Sequence, residues 1–162
     1  MVREISAGGV VLRKRDEKWW IAAIEPAGAA VEEPKSGKTP APKSVVALPK
    51  GLVDPGEKAL NTAVREVYEE TGVTAEVITK LGDIKYVYSR SWGDGQRVFK
   101  IVSFYLMRYV SGRINQIAEE MRIEVARALW VRLEDAPKLL AYKGEKQMAQ
   151  RALEYLIEHP EL

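Results

Sequence analysis

The chain has no cysteine and a single histidine, His159. The first absence excludes disulfides, thiolate zinc sites, iron–sulfur clusters and a cysteine nucleophile. The second argues against a Ser-His-Asp triad and against any multi-histidine metal centre. A metal, if one is bound, must be held by oxygen ligands, which suit magnesium, calcium or manganese. Long apolar runs are also missing. The longest, Trp19 to Ile24, is far short of the roughly 20 residues of a membrane span, and the amino-terminal segment lacks the apolar core of a secretory signal. The expectation is a cytoplasmic protein with no membrane partner. Nor is there an excess of charge of one sign: 25 basic and 23 acidic residues leave a net +2, which gives no support to general nucleic-acid binding.

What is present is a chain of 162 residues, 46% apolar, enough for one domain over residues 1–162 with its own core. Val2 to Leu12 and Trp19 to Ile24 carry apolar residues at β spacing on either side of a charged turn, and predict a hairpin. Pro26 to Lys43 contains four prolines and one β-branched aliphatic residue, Val31. It cannot bury enough apolar surface to offset its ordering entropy, and reads as a mobile loop, either a lid or an idle insertion. Val45 to Leu48 predicts a short buried strand. Asp54-Pro55-Gly56-Glu57 is a turn, and a helix from about Glu57 to Thr71 should stop at Gly72 in a left-handed cap. Val73 to Ser89 and Arg97 to Tyr109 predict a long hairpin around residues 91–95. Ala128 to Leu133 predicts a further strand, and Asp135 to Leu140 and Gly144 to His159 predict helices. Met148, Ala152, Leu153, Leu156 and Ile157 form the expected core stripe of the last one. Strands and helices mixed in one domain give an α/β or α+β fold.

The chemistry concentrates in Gly51 to Val73. At about 100° per residue, Leu60, Ala63, Val64 and Val67 share one side of the helix, while Glu66, Glu69 and Glu70 share the next. Glu69 and Glu70 occupy the last turn, where the helix dipole favours cations, and Glu66 and Glu70 repel at i,i+4. Two readings are open on charge pattern alone: a solvated acidic helix, or carboxylates gathered to hold a divalent cation.

The spacing of the whole segment bears on the choice through a resemblance. Gly51, five residues, Glu57, seven residues, Arg65-Glu66-Val67, one residue, Glu69-Glu70, one residue, Gly72-Val73 resembles the Nudix hydrolase box at every defined position. Ser6-Ala7-Gly8-Gly9-Val10-Val11 is similar to the first strand of that family. Leu48-Pro49-Lys50-Gly51 resembles the approach to the box in members that cleave dinucleoside polyphosphates and related compounds, Trp130-Val131 and Glu134-Asp135-Ala136 resemble the family's usual late strand and helix start, and Tyr142 and Glu145-Lys146 resemble the C-terminal helix of that subgroup. Many relatives carry tryptophan where Val46 stands here, so base stacking at that position is not carried over.

The resemblance implies a Nudix fold, a mixed β-sheet sandwiched between α-helices, and hydrolysis of a nucleoside diphosphate linked to another moiety with Mg2+ or Mn2+. The implied substrate is a dinucleoside polyphosphate or a nucleoside triphosphate. An RNA 5′-end pyrophosphohydrolase and a non-catalytic nucleotide sensor are the alternatives. Carried over by position, Glu66, Glu69 and Glu70 are metal ligands, and Glu66 or Glu69 leads to the water nucleophile. Arg65 orients the glutamates, Glu57 steadies the loop by pairing with Arg65, and the backbone at Lys50-Gly51 faces the metal. Outside the box, Glu124 is a candidate extra metal ligand or base. Lys50, Lys143 and Lys146 are candidates for substrate phosphates, and Trp92 for stacking on a base. Tyr86 and Tyr88 could also stack on a base, but in a predicted hairpin packing is the favoured reading. The chemistry fits this inventory, because metal ions can neutralise a pyrophosphate and activate water while a carboxylate takes the proton. The sequence leaves the oligomeric state open.

Overall fold

The computed structural model describes residues 2–28, 45–89 and 95–162. Most of the loop expected at 26–43 lies outside the described residues, as does Trp92. Six strands form one mixed sheet: β1 (Val2–Arg15), β2 (Lys18–Pro26), β3 (Lys50–Leu52), β4 (Val73–Ser89), β5 (Arg97–Gly112) and β6 (Val125–Arg132). The strand order is β4-β5-β1-β2-β6, with β3 also pairing with β1. The β1–β5 pair is parallel and the other pairings are antiparallel. The helices are α1 (Ala59–Thr71), α2 (Ala136–Leu139) and α3 (Lys143–Glu158).

Period-two alternation along β1 divides the core into two layers. Ala7 and Val11 pack with Ala63 and Val67 of α1, whereas Val10 and Leu12 pack with Met148, Ala149 and Ala152 of α3. The sheet thus lies between helices, as the resemblance implies. Gly72 stops α1 in the left-handed region at φ 83°, its N–H donating to the Tyr68 carbonyl at 2.8 Å. Both long hairpins form over the expected segments, the second extended to Gly112.

Three expectations are corrected. Val45 to Leu48 is not a strand: Val46 and Ala47 make isolated bridges to Leu140 and Ile24, and the Leu48 N–H goes to the Glu145 carboxylate at 2.6 Å. With that donor spent on a side chain, strand pairing begins later, at Lys50. Ile157 is 79% exposed and Leu60 42% exposed. Each is the second residue from an end of its helix. A 3-10 helix over Glu119–Ile123, without a periodic signal of its own, leads into β6.

The β1–β2 turn is strained. Asp16 and Glu17 have φ of 53° and 63°, the left-handed pair of a two-residue hairpin turn that favours Asn-Gly. Replacing Asp16 by Asn and Glu17 by Gly should relieve this strain. The expected gain is about 1 kcal/mol, or roughly 2–4 °C in Tm for a domain of this size. The exposed Lys14–Glu17 pair at 4.0 Å is worth little against that. Thermal unfolding of the double variant checks this, and a lower Tm would contradict it.

Candidate active site

The turn before α1 and the exposed edge of the helix meet at Arg65. Its Nε and Nη2 donate to the two oxygens of Glu57 at 2.9 and 3.0 Å. Its Nη1 donates to Glu66 Oε1 at 2.9 Å and to both oxygens of Glu69 at 3.1 and 3.2 Å. Nη2 also reaches the Leu52 carbonyl at 3.3 Å. The Thr62 hydroxyl donates to Glu57 at 2.6 Å, and Glu57 N–H closes the turn on the Asp54 carbonyl at 3.0 Å. Hydrogen bonds from Arg65 and then Thr62 hold the Glu57 carboxyl down to about 2.

Glu66, held by the clamp through one oxygen, and Glu70, outside it, line a cleft of about 490 Å³ that also holds Lys50, Gly51, Lys100 and Glu124. Both glutamates are buried. Glu66 lies against Gly51, where any side chain would overlap its carboxyl group, so glycine is required for the close approach. The backbone N–H of Lys50 donates to Glu70 Oε1 at 2.9 Å. Burial pushes Glu70 up to about 8 against that hydrogen bond, with Glu66 and Glu124 adding to the rise. Burial also raises Glu66, partly offset by the Arg65 charge.

A second cavity, of about 680 Å³, adjoins the cleft and is lined by Tyr86, Val102, Phe104, Tyr142 and Lys143. Lys50 and Tyr142 line both spaces. The Lys50 ammonium lies 5.7 Å from the centre of the Tyr142 ring and 3.3 Å from the buried carboxylate of Glu145. Another cavity, of about 380 Å³ between Leu12, Trp19, Ile78 and Arg108, contains none of these carboxylates.

The residues singled out in the sequence therefore divide. Glu66, Glu70, Glu124, Lys50 and Gly51 come together in the cleft, while Glu57, Arg65 and Glu69 form its flank. Lys143 reaches the second cavity. Lys146, expected at substrate phosphates, does not: its ammonium donates to the Pro137 carbonyl at 2.8 Å, at the short helix α2. Tyr86, expected to be a packing residue, is 43% exposed on the cavity wall, because its strand runs past the core there. Tyr88 donates to Glu4 at 3.0 Å. Sequence reasoning missed Lys100, placed at the cleft by the β1–β5 register opposite Glu4. It also missed the cavity role of Tyr142, whereas Tyr86 had base stacking as its second reading beside packing. No local spacing signals these positions.

Among the described residues no three acidic groups form a ready-made cation cage. The donor set nevertheless fits a divalent cation. Two carboxylates have pKa values raised by burial, a third carboxylate adds to both rises, and the wall beside them carries no side chain at Gly51. Hard oxygen ligands of this kind suit magnesium or manganese.

Comparison with known proteins agrees with the sequence motif. The NUDIX domain pattern matches residues 3–152, and the chain belongs to the Nudix family. It is 32% identical over 120 residues to the asymmetrical bis(5′-nucleosyl)-tetraphosphatase of Mus musculus, covering 69% of this chain and 72% of that protein. A relative named MutT4 from Mycobacterium tuberculosis is 41% identical over 109 residues, 67% of this chain; the match spans 41% of that longer protein. Among solved structures, a Caenorhabditis elegans Ap4A hydrolase binary complex superposes with a TM-score of 0.66 at 24% identity, over 96% of this chain and 98% of that one. The NUDIX domain of Shewanella oneidensis NrtR, complexed with ADP-ribose, gives 0.63 at 19% identity, over 96% and 90%. At these identities the two structures speak for the fold. No helix among the described residues is long and apolar enough to cross a membrane.

The Glu70 shift has a consequence for stability. Its carboxyl is raised from an ordinary 4.5 to about 8 in the metal-free fold. Between those values the folded state holds a proton that the unfolded state has released. The contribution of Glu70 to stability is therefore full below pH 4.5 and is lost as pH rises toward 8. Denaturant unfolding in EDTA from pH 5 to 9 should show this decline, and Glu70→Gln should reduce it. An unchanged slope in that variant would contradict the assignment.

Proposed function

We propose that this Nudix domain is a metal-dependent pyrophosphohydrolase whose substrate is a dinucleoside polyphosphate. The observation that carries the reading is the shared wall. An acidic cleft suited to a cation and a larger cavity with exposed tyrosines are continuous across Lys50 and Tyr142. A phosphate chain in the first would leave a nucleoside in the second. The tetraphosphatase relative supports the substrate class.

In this reading Glu66, Glu70 and Glu124 hold Mg2+ or Mn2+ with the backbone at Lys50-Gly51, and Glu69 joins from the flank through the Arg65 nitrogen it shares with Glu66. The bound metal supplies charge neutralisation and a lowered water pKa. The protein supplies the rest. Arg65 fixes Glu66 through Oε1; Glu66 Oε2 has no hydrogen bond among the described residues and takes the proton of the attacking water. Glu69 is a poorer proton acceptor because both of its oxygens are bound to Arg65. Lys50, Lys100 and Lys143 provide positive charge for the phosphate chain, and longer chains gain more from it. Tyr86 and Tyr142 offer ring faces to a base.

The test is a comparison of kcat/KM for diadenosine polyphosphates, nucleoside triphosphates and ADP-ribose with Mg2+ or Mn2+, with products identified by mass. Diadenosine polyphosphates should lead, by a margin that narrows as salt screens the lysines. ADP-ribose leading at both low and moderate ionic strength would overturn the substrate class. Glu66→Gln or Glu70→Gln should lower kcat roughly 10²–10⁴-fold, the worth of a lost acid–base or charge-stabilising group. Activity within threefold of wild type in both would overturn the site.

A further inference from the structure

Glu145 is 3% exposed, on the first turn of α3, far in sequence from the Nudix box. It does not line the acidic cleft. Its carboxylate nevertheless serves two groups that lead there. Oε1 accepts the Leu48 N–H at 2.6 Å and Oε2 accepts from the Lys50 ammonium at 3.3 Å. A buried carboxylate is costly unless something requires it. Leu48 alone does not require a charge, since a neutral acceptor would satisfy its N–H equally well.

The position of Lys50 supplies the requirement. Its side chain stands between opposed sets of carboxylates: Glu145 on the side of the aromatic cavity, and Glu66, Glu70 and Glu124 in the cleft. Glu70 already acts electrostatically on the ammonium, and the Lys50 backbone is bonded to Glu70. A lysine stem has four carbons and turns freely. Released from Glu145, the ammonium would move toward the greater negative charge and occupy the space where a cation would be held.

We infer that Glu145 is a positioning residue that tethers the Lys50 ammonium on the cavity side of the shared wall and so keeps the acidic cleft open to a divalent cation. The inference rests on the metal reading given above. It assigns Glu145 a role through Lys50 and not through direct contact with metal or substrate. It also explains the form of the contact, with one oxygen on the backbone to fix the carboxylate and the other on the lysine.

The tether makes a prediction with an unusual sign: removing Lys50 should repair the loss of Glu145. Mn2+ affinity is measured by electron paramagnetic resonance of the free ion, without substrate, on the full chain. Glu145→Gln retains an acceptor for Leu48 N–H but loses the charge, and should weaken Mn2+ binding roughly 10-fold, as expected for a cation brought close to the site. Lys50→Met, which leaves the backbone N–H to Glu70 intact, should bind Mn2+ at least as tightly as wild type. The double variant should return to the Lys50→Met value. A merely structural role for Glu145 would leave the double variant as weak as Glu145→Gln, and that result overturns the inference, as does Glu145→Gln binding within twofold of wild type. Thermal unfolding of each variant confirms that folded proteins are compared; should Glu145→Gln fail to fold, Glu145→Asp, which shortens the tether, is read in its place with the same expected rescue. A wild-type protein that takes up no Mn2+ overturns the metal reading itself, and the inference with it.

Discussion

The site is organised around one cation. Arg65 binds Glu57 with two nitrogens in a paired, planar contact and shares a third between Glu66 and Glu69. This geometry needs a guanidinium. A lysine ammonium could not span the turn before α1 and the last turns of the helix at once. The pairing also answers the electrostatic problem posed by the helix. Acidic residues near its carboxyl end oppose the dipole and one another, and Arg65 lies where it can compensate two of them. Glu70 is the glutamate of the box helix that Arg65 does not reach. Burial pushes its carboxyl to about 8, with no guanidinium contact to offset the rise.

Around that clamp the fold works by close approach. β3 pairs with β1 so that Gly8 stands opposite Lys50, and Gly51 leaves room for the Glu66 carboxyl. The cleft is therefore bounded by backbone on one side and helix on the other. From the opposite layer of the domain, α3 reaches the same segment through Glu145, which holds Leu48 and Lys50. The two helical layers share no core, yet both are anchored on residues 48–51, one through Glu66 and Glu70 and the other through Glu145. That common anchor ties the geometry of the acidic cleft to the packing of the C-terminal helix.

How much of this was legible in the sequence follows from the range of each interaction. The turn at Asp54, the helix to Thr71, its Gly72 cap and the Arg65–Glu57 pairing depend on residues close in sequence or on motif spacing, and all were readable. Five of the six strands were readable from apolar spacing or from β-branched and aromatic content, but β3, at Lys50–Leu52, was not predicted. Val45 to Leu48 was misread as a strand, because its backbone donor is claimed by a side chain 97 positions away. Lys100 reaches the cleft through a parallel pairing, and Tyr86 and Tyr142 reach the cavity through sheet register and helix docking, none of which leaves a local pattern. Lys146 shows the converse. Its sequence neighbourhood suggested a substrate contact, but the carbonyls of a four-residue helix, α2, stand closer.

The arrangement has a thermodynamic logic. A fold selected for stability alone would not bury Glu66 and Glu70 side by side, with like charges and a raised pKa, beneath the end of a helix. Nor would it bury a third carboxylate, Glu145, to hold a lysine away from them. Each of these choices costs stability in the metal-free chain. They become consistent when a divalent cation belongs to the native state, since a ligand that binds only the folded form stabilises it. In the proposed reading the carboxylates that are costly to bury are the groups that bind the cation, and binding offsets that cost.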